Sequence, residues 1–335
     1  MAESMKPLLS VRDLVVEFGL DQGTIRAVDN VNLDLHAGRV LGIVGESGCG
    51  KSVTARAILG ILDRPGRVVA GRIHLDPGTS REQELTSLAS NSQALRDVRG
   101  GRIGLIFQEP MTALSNHYTV GNQIIEAICA HKKLSKAEAR AKAVTLLADA
   151  GIPHPESRIA AYPFQLSGGL RQRVGIALAL AGEPDILIAD EPTTALDVTT
   201  QAQILALLRR LQQQKKIALM LITHDMGVIA QMADDVAVMY LGRVVEMAPV
   251  DRLFNAPRHP YTRALLRSVP NIRAKPRERL ASIGGAVPHP SRRPTGCPFH
   301  PRCPEIIAGR CAETAPSPVQ AGKDGASCFH AEARP

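Results

Sequence analysis

The sequence predicts an α/β protein built on a parallel sheet, and three observations carry that expectation. The apolar run Val40-Leu41-Gly42-Ile43-Val44 leads straight into Gly45-Glu46-Ser47-Gly48-Cys49-Gly50-Lys51-Ser52, a G-x-x-x-x-G-K-S pattern. Strand, glycine-rich loop and helix start follow one another there, the context that a phosphate-binding loop requires. Strand-like and helix-like stretches alternate through the later part of the chain, as in a parallel sheet with crossover helices. Ile186-Leu187-Ile188-Ala189 is an unbroken apolar run, typical of a strand buried on both faces.

Taken in order, Leu8 to Phe18 alternates enough to be a strand, and Val28 to Leu35 resembles a second before the turn at Ala37-Gly38. The strand, loop and helix around Lys51 follow. Pro65-Gly66-Arg67 reads as a break, and Gly71 to Leu75 as a short strand. The polar segment Asp76 to Gly100 looks least structured, and Arg102 to Phe107 restores a strand ending at Gln108. From Gly121 to Gly182 the pattern is helical, with Ser135-Lys136-Ala137-Glu138 as a capping start. After the strand at Ile186 come a helix from Thr200 to Gln214, a strand from Ile217 to Ile222, another helix, and a strand from Val236 to Tyr240. Beyond about Asp251, Pro and Arg rise and periodicity fades, so this end reads as an appendage and not as more of the sheet. No internal repeat is evident.

A chain of 335 residues suffices for two domains, or for one large domain with an appendage. No run of eighteen or more apolar residues is present, so a membrane-spanning helix is not expected. Met1-Ala2-Glu3-Ser4-Met5-Lys6 lacks an apolar leader core, and the expected location is the cytoplasm. The net charge of +8 could attract nucleic acid. The basic residues are nevertheless dispersed, with local clusters from Arg273 to Arg279 and at Arg292-Arg293. With no Trp, four Tyr and six Phe, little is available to stack on bases. A solvated basic face is the favoured reading, and no nucleic-acid partner is expected.

Chemistry concentrates at three places. In the loop, glycines allow the backbone N–H groups to turn inward at phosphate oxygens. Lys51 supplies a charge for the β- and γ-phosphates, the Ser52 hydroxyl can ligate Mg²⁺, and the following helix start adds its positive end. The apolar strand at Ile186 ends in Asp190-Glu191. Acids at a buried strand tip cost free energy unless something binds them. Asp190 is placed for Mg²⁺, and Glu191, pointing differently, for orienting or deprotonating a water. Leu166-Ser167-Gly168-Gly169-Leu170-Arg171-Gln172 opens another helix, where Ser167 and two glycines permit close approach to an anion. An ordinary helix cap explains the same residues. A second phosphate site of this kind invites a two-fold partner whose nucleotide it would cover.

Together these residues resemble the ATP-binding-cassette family. The ordered set is the loop Gly45 to Ser52, Gln108, the signature Leu166 to Gln172, the acidic strand Ile186 to Glu191, the turn Ala195-Leu196-Asp197, and His224. The resemblance implies a P-loop NTPase fold: a RecA-like parallel core, an N-terminal antiparallel subdomain, a helical signature subdomain and a C-terminal cysteine-containing extension. It sets the ATPase domain at 8–255, with the helical part at about 109–182, and the extension at 256–335. By resemblance Phe18 stacks on adenine, and Val53 joins Gly45, Glu46, Ser47, Gly48, Cys49, Gly50, Lys51 and Ser52 around the nucleotide. Gln108 touches Mg²⁺ and water, His224 contacts the γ-phosphate, and Asp197 belongs to the loop after the acidic strand. Ser167, Gly168, Gly169 and Gln172 would face the partner's ATP.

Ile106 to Leu114, Asp190 to Val198 and Arg258-His259-Pro260-Tyr261-Thr262 look like the dipeptide, oligopeptide and nickel importer branch. The resemblance implies ATP-driven peptide import at the cytoplasmic face of the cell membrane. It also implies a second, related ATPase subunit, two membrane-spanning permeases and a peptide-binding protein. Nickel, a metallophore or an oligosaccharide is the alternative cargo, and a soluble nucleic-acid ATPase is the competing class. Ser115-Asn116 and Leu170 depart from the branch's usual residues, at positions without chemistry.

Cys297, Cys303, Cys311 and Cys328 are spaced C-x5-C-x7-C-x16-C. A cytoplasmic location argues against disulfides, and zinc sites usually show closely paired cysteines. Irregular spacing beside Pro298, Pro301 and Pro304 suits a [4Fe–4S] cluster better, with zinc or free thiols as the other readings. The family resemblance also points to a cluster. Cys49 and Cys129 are expected to be structural bystanders.

Overall fold

The computed structural model describes residues 6–21, 23–109, 113–269 and 283–332. Met1 to Met5, the stretch Pro110-Met111-Thr112 of the importer-like motif, and the basic cluster Arg273 to Arg279 lie outside the described residues. The chain folds as two compact units: Met1–Leu35, Leu41–Ser87 and Thr223–Pro335 form one, and His36–Val40 with Leu88–Ile222 the other.

In the first unit, β1 (Leu9–Leu20) lies between antiparallel β2 (Gly23–Leu35) and β4 (Gly66–Leu75), with β5 (Gln83–Glu84) outermost. Leu9, Val11, Leu14 and Val16 are buried along β1, which gives that strand its apolar face. A second set of strands begins with β3 (Val40–Val44), which runs parallel to β9 (Asp235–Tyr240) with Leu41 opposite Asp235. Antiparallel β10 (Arg243–Pro249) follows on β9.

Three expectations change here. Pro65-Gly66-Arg67 reads as a break, yet β4 begins at Gly66, opposite Phe18 of β1; ladder pairing overrides local propensity. The segment from Asp76 to Gly100 is not featureless. It holds the helix Gln93–Val98, started by the Ser92 hydroxyl accepting from Leu95 N–H at 3.3 Å. Its anchors, Leu95 and Val98, are too few to produce a visible period. Finally, the C-terminal segment does extend the strands: β11 (Gly325–Ala326) pairs antiparallel with β10, Glu246 opposite Ala326. The physical reason is aromatic burial. Tyr261 and Phe299 pack on Tyr240 with ring centroids 4.7 and 5.3 Å away, and Phe329 joins the same core.

In the second unit, β6 (Ile103–Ile106), β7 (Ile186–Asp190) and β8 (Ala218–Thr223) are parallel, with β7 buried throughout. Helices Val120–His131, Lys136–Asp149, Gly168–Ala179 and Val198–Lys215 accompany them. The capping start read at Ser135 is a full capping box: Glu138 N–H donates to the Ser135 hydroxyl, and Ser135 N–H donates to the Glu138 carboxylate at 2.8 Å. Ala139, Ala143 and Leu147 then recur every fourth residue as the buried stripe. Among the described residues no helix is long and apolar enough to cross a membrane.

Candidate functional site

β3 is five buried apolar residues and delivers the chain to Gly45; the helix Lys51–Ile58 begins where the loop ends. Gly50 sits before that helix at φ 100°, and a Cβ there would stand 2.5 Å from the Ala27 carbonyl oxygen. Only glycine meets both conditions. The curl is held by Cys49 N–H donating to Glu46 O at 3.3 Å, and by Gly242 N–H donating to Cys49 O at 2.9 Å. The Lys51 side chain folds back over the loop, its ammonium donating to Gly45 O at 2.8 Å and Glu46 O at 3.1 Å. Lys51 is only 4% exposed, so its charge is fixed against the loop and not spread into solvent. Burial pushes the Cys49 thiol up, which makes it inert and not a nucleophile.

Besides Gly242, two side chains outside the motif hold this loop. Glu46 N–H donates to the Tyr261 hydroxyl at 2.9 Å, and the Glu46 carboxylate takes two bonds from the Arg302 guanidinium, at 2.8 and 3.0 Å. Sequence reasoning quoted Tyr261 only as part of a motif and missed Arg302 altogether. An arginine in an irregular, proline-rich stretch carries no periodic signal. Phe18, in the same unit, is half-buried, with its ring against Gly66: a Cβ on that glycine would lie 2.6 Å from the ring. His224 is exposed, just before the helix Met226–Met232 that Asp225 caps by accepting from Gly227 N–H at 2.7 Å.

The second unit brings Gln108 and Glu191 together, 83 residues apart in sequence, with Gln108 Nε2 donating to Glu191 Oε2 at 3.1 Å. The Thr194 hydroxyl donates to that same oxygen at 2.9 Å. Asp190 closes β7 and is 6% exposed, whereas Glu191 is half-buried. Glu191 stands at φ 47°, a left-handed conformation costing a non-glycine residue ~1–2 kcal/mol. Its N–H donates to Ile222 O at 2.9 Å, which secures the bend. Such strain clusters where a side chain must be aimed. The bend takes the chain out of the β7 line directly after Asp190.

Ser167 caps the helix Gly168–Ala179, and its exposed hydroxyl accepts from Leu170 N–H at 3.4 Å. A Cβ on Gly169 would lie 2.7 Å from Thr200 Cγ2, so this helix start packs closely on the next helix's first turn. Gln172, by contrast, is 2% exposed and faces the interior. Asp197 caps the helix Val198–Lys215, accepting from Thr200 N–H at 2.9 Å and the Thr200 hydroxyl at 2.7 Å. Those bonds hold its carboxyl below the usual range.

Cys297, Cys303, Cys311 and Cys328 all line one cavity of the first unit, together with Phe299 and His259. Among the described residues, no three His, Cys, Asp or Glu side chains are gathered tightly enough for a single metal ion. Burial pushes Cys297 up to about 11 and raises Cys303 and Cys328 as well, so these thiols hold their protons at neutral pH.

Comparison with known proteins agrees with this geometry. A family model described as ABC transporter matches residues 28–194, and one described as oligopeptide/dipeptide transporter, C-terminal region, matches 245–311. The Dipeptide transport ATP-binding protein DppD of Escherichia coli K12 is 49% identical over 310 residues, covering 92% of each chain. Its counterpart in Bacillus subtilis 168 is 48% identical, covering 90% of this chain and 88% of that one. Among solved structures, the ATP-binding cassette MJ0796, dimeric and bound to ADP and Pi, superposes with a TM-score of 0.64 at 27% identity, covering 72% of this chain and 98% of that one. The cbiO1 protein of Clostridium perfringens gives a TM-score of 0.62 at 29% identity, covering 75% and 91%. Likeness at that level, along nearly the whole length, makes this chain a member of the ABC transporter ATP-binding proteins, with the α/β cassette fold of that family.

Proposed function

We propose that this chain hydrolyses ATP to power import of dipeptides and oligopeptides across the cell membrane. The observation that carries the cargo reading is the second matched region, 245–311, which follows the ABC transporter match at 28–194 and bears the description of peptide transporters. Within the reading, residues 8–255 are the ATPase domain, with its helical part at about 109–182, and 256–335 the importer-type extension. Gly45 to Val53 bind the nucleotide, with Phe18 against the adenine. Lys51 neutralises phosphate charge, and His224 contacts the terminal phosphate. Ser52, Asp190 and Gln108 offer hydroxyl, carboxylate and amide oxygen, a hard donor set that fits Mg²⁺. The ion, when bound, neutralises phosphate charge.

Glu191 accepts a proton from the attacking water or orients it, held by Gln108 and Thr194. The test is Glu191→Gln in the purified full-length chain with its partners. The variant is expected to bind ATP as the parent does while hydrolysis falls about 10²–10⁴-fold, the usual worth of a general base. Unchanged turnover would remove the role.

A second, related ATPase subunit is the proposed partner, placing Ser167, Gly168 and Gly169 of this chain toward the partner's nucleotide, with Asp197 in the adjoining turn; Gln172, buried within its own unit, supports that helix from inside. Two permeases and a peptide-binding protein complete the machine, and this chain sits peripherally at the cytoplasmic face. For the cysteines we propose a [4Fe–4S] cluster. A cluster offers each thiolate its own iron, so the four sulfurs need not converge on one ion. Because burial raises Cys297, Cys303 and Cys328, loading must displace the protons those thiols hold. Anaerobic purification should yield brown protein carrying iron and acid-labile sulfide in equal amounts. Colourless, iron-free protein under those conditions would overturn the proposal.

A further inference from the structure

Glu46 places a carboxylate inside a loop whose task is to hold phosphate, and electrostatics alone makes that unfavourable. A negative charge several ångströms from a polyphosphate repels it. Among the described residues, Arg302 answers this charge. Arg302 grips the Glu46 carboxylate at 2.8 and 3.0 Å in the two-bond geometry that guanidinium and carboxylate favour. The arginine side chain is 4% exposed and Glu46 26%, so the pair is not a mobile surface contact. Arg302 is itself fixed. Its Nε donates to Gly284 O at 2.9 Å, and its guanidinium lies 5.8 Å from the Tyr240 ring centroid and 6.0 Å from that of Phe299.

The other polar groups of Glu46 are also committed. Its N–H goes to the Tyr261 hydroxyl at 2.9 Å, and its carbonyl accepts from the Lys51 ammonium at 3.1 Å. A single residue therefore joins the C-terminal segment to the phosphate-binding lysine. The same segment makes a second tie nearby. Arg293 donates to Leu241 O and to Asp29, flanking Gly242, whose N–H donates to the loop at Cys49 O. Arg302 lies between Cys297 and Cys303, so the cysteine-bearing stretch is the part of the chain that delivers the cation.

We propose that Arg302 is a positioning residue for nucleotide: carried on the C-terminal segment, it neutralises Glu46 so that the loop keeps its affinity for the phosphates. The proposal rests on ATP binding at the loop around Lys51. It makes the C-terminal segment part of the ATP site's electrostatics, acting through Glu46 without touching the ligand.

The test measures binding of a non-hydrolysable ATP analogue with Mg²⁺ to the full-length chain, alongside steady-state ATP hydrolysis. Arg302→Ala should weaken binding on the order of tenfold, the scale of one uncompensated charge near the phosphates, and raise KM far more than it lowers kcat. Arg302→Lys should retain most of the affinity, because it keeps the charge. The decisive arm is Glu46→Gln combined with Arg302→Ala: removing the charge that Arg302 answers should restore most of the lost affinity. A merely structural staple predicts no such rescue. An Arg302→Ala protein that binds as the parent does, or a loss that persists undiminished in the double variant, would overturn the proposal. Failure of the parent chain itself to bind the analogue would instead remove the ATP-site reading.

Discussion

A carboxylate set between two ammonium groups gives up its charge only in strong acid. Glu183 stands between Lys132 at 2.7 Å and Lys142 at 2.6 Å, and their hydrogen bonds hold its carboxyl at about 2. A carboxyl held low in the folded state binds fewer protons than it does unfolded between about pH 2 and pH 4.5. Its contribution is therefore complete above about pH 4.5 and is lost as the pH falls toward 2. The side chain is half exposed, so solvent screening keeps the worth small. Glu183→Gln is expected to cost less than ~1 kcal/mol in urea unfolding at pH 7, with the gap to the parent closing below pH 4.5. A gap that stayed constant down to pH 2.5 would contradict the assignment. At this scale the sequence was legible wherever chemistry repeats a spacing. Lys51, Ser52, Asp190 and Glu191 were readable because an apolar strand ending in polar residues is an unusual pattern. Arg302 and Tyr261 were not, since their importance comes from meeting Glu46 across 256 and 215 residues of chain.

Among elements, β3 and β7 were plain in the sequence because strands buried on both faces must be apolar throughout, and both are. The helix from Lys136 was plain because Ser135 and Glu138 form a local, reciprocal cap. The short helix Gln93–Val98 was hidden, having only two buried residues. β11 was hidden for a different reason. Two residues pair with β10 through backbone alone, and a strand that short leaves no alternation to read. The loop at Gly45–Gly50 behaves as an element in its own right. Glycine at φ 100° and the Lys51 bonds fix it from within, while Gly242, Tyr261 and Arg302 fix it from outside. That outer support is why the loop cannot be described from its motif alone.

At the scale of the whole molecule, the chain's two units hold different parts of the proposed ATP site. The first holds the nucleotide loop and the cysteine-lined cavity; the second holds the Gln108–Glu191 pair and the signature helix. The C-terminal composition read as an appendage, yet Tyr261, Phe299 and Phe329 are core residues of the unit that carries the glycine-rich loop. Under the proposed function, energy released at that loop is passed to the permease subunits. The claim on which everything else depends is that ATP consumed at this loop drives solute movement. It is tested most directly by rebuilding the complete transporter in vesicles with Lys51→Ala in this chain and following dipeptide uptake and ATP hydrolysis together. Both are expected to fall to background while the variant still assembles with its partners. Uptake that continued at the parent's rate would contradict the account.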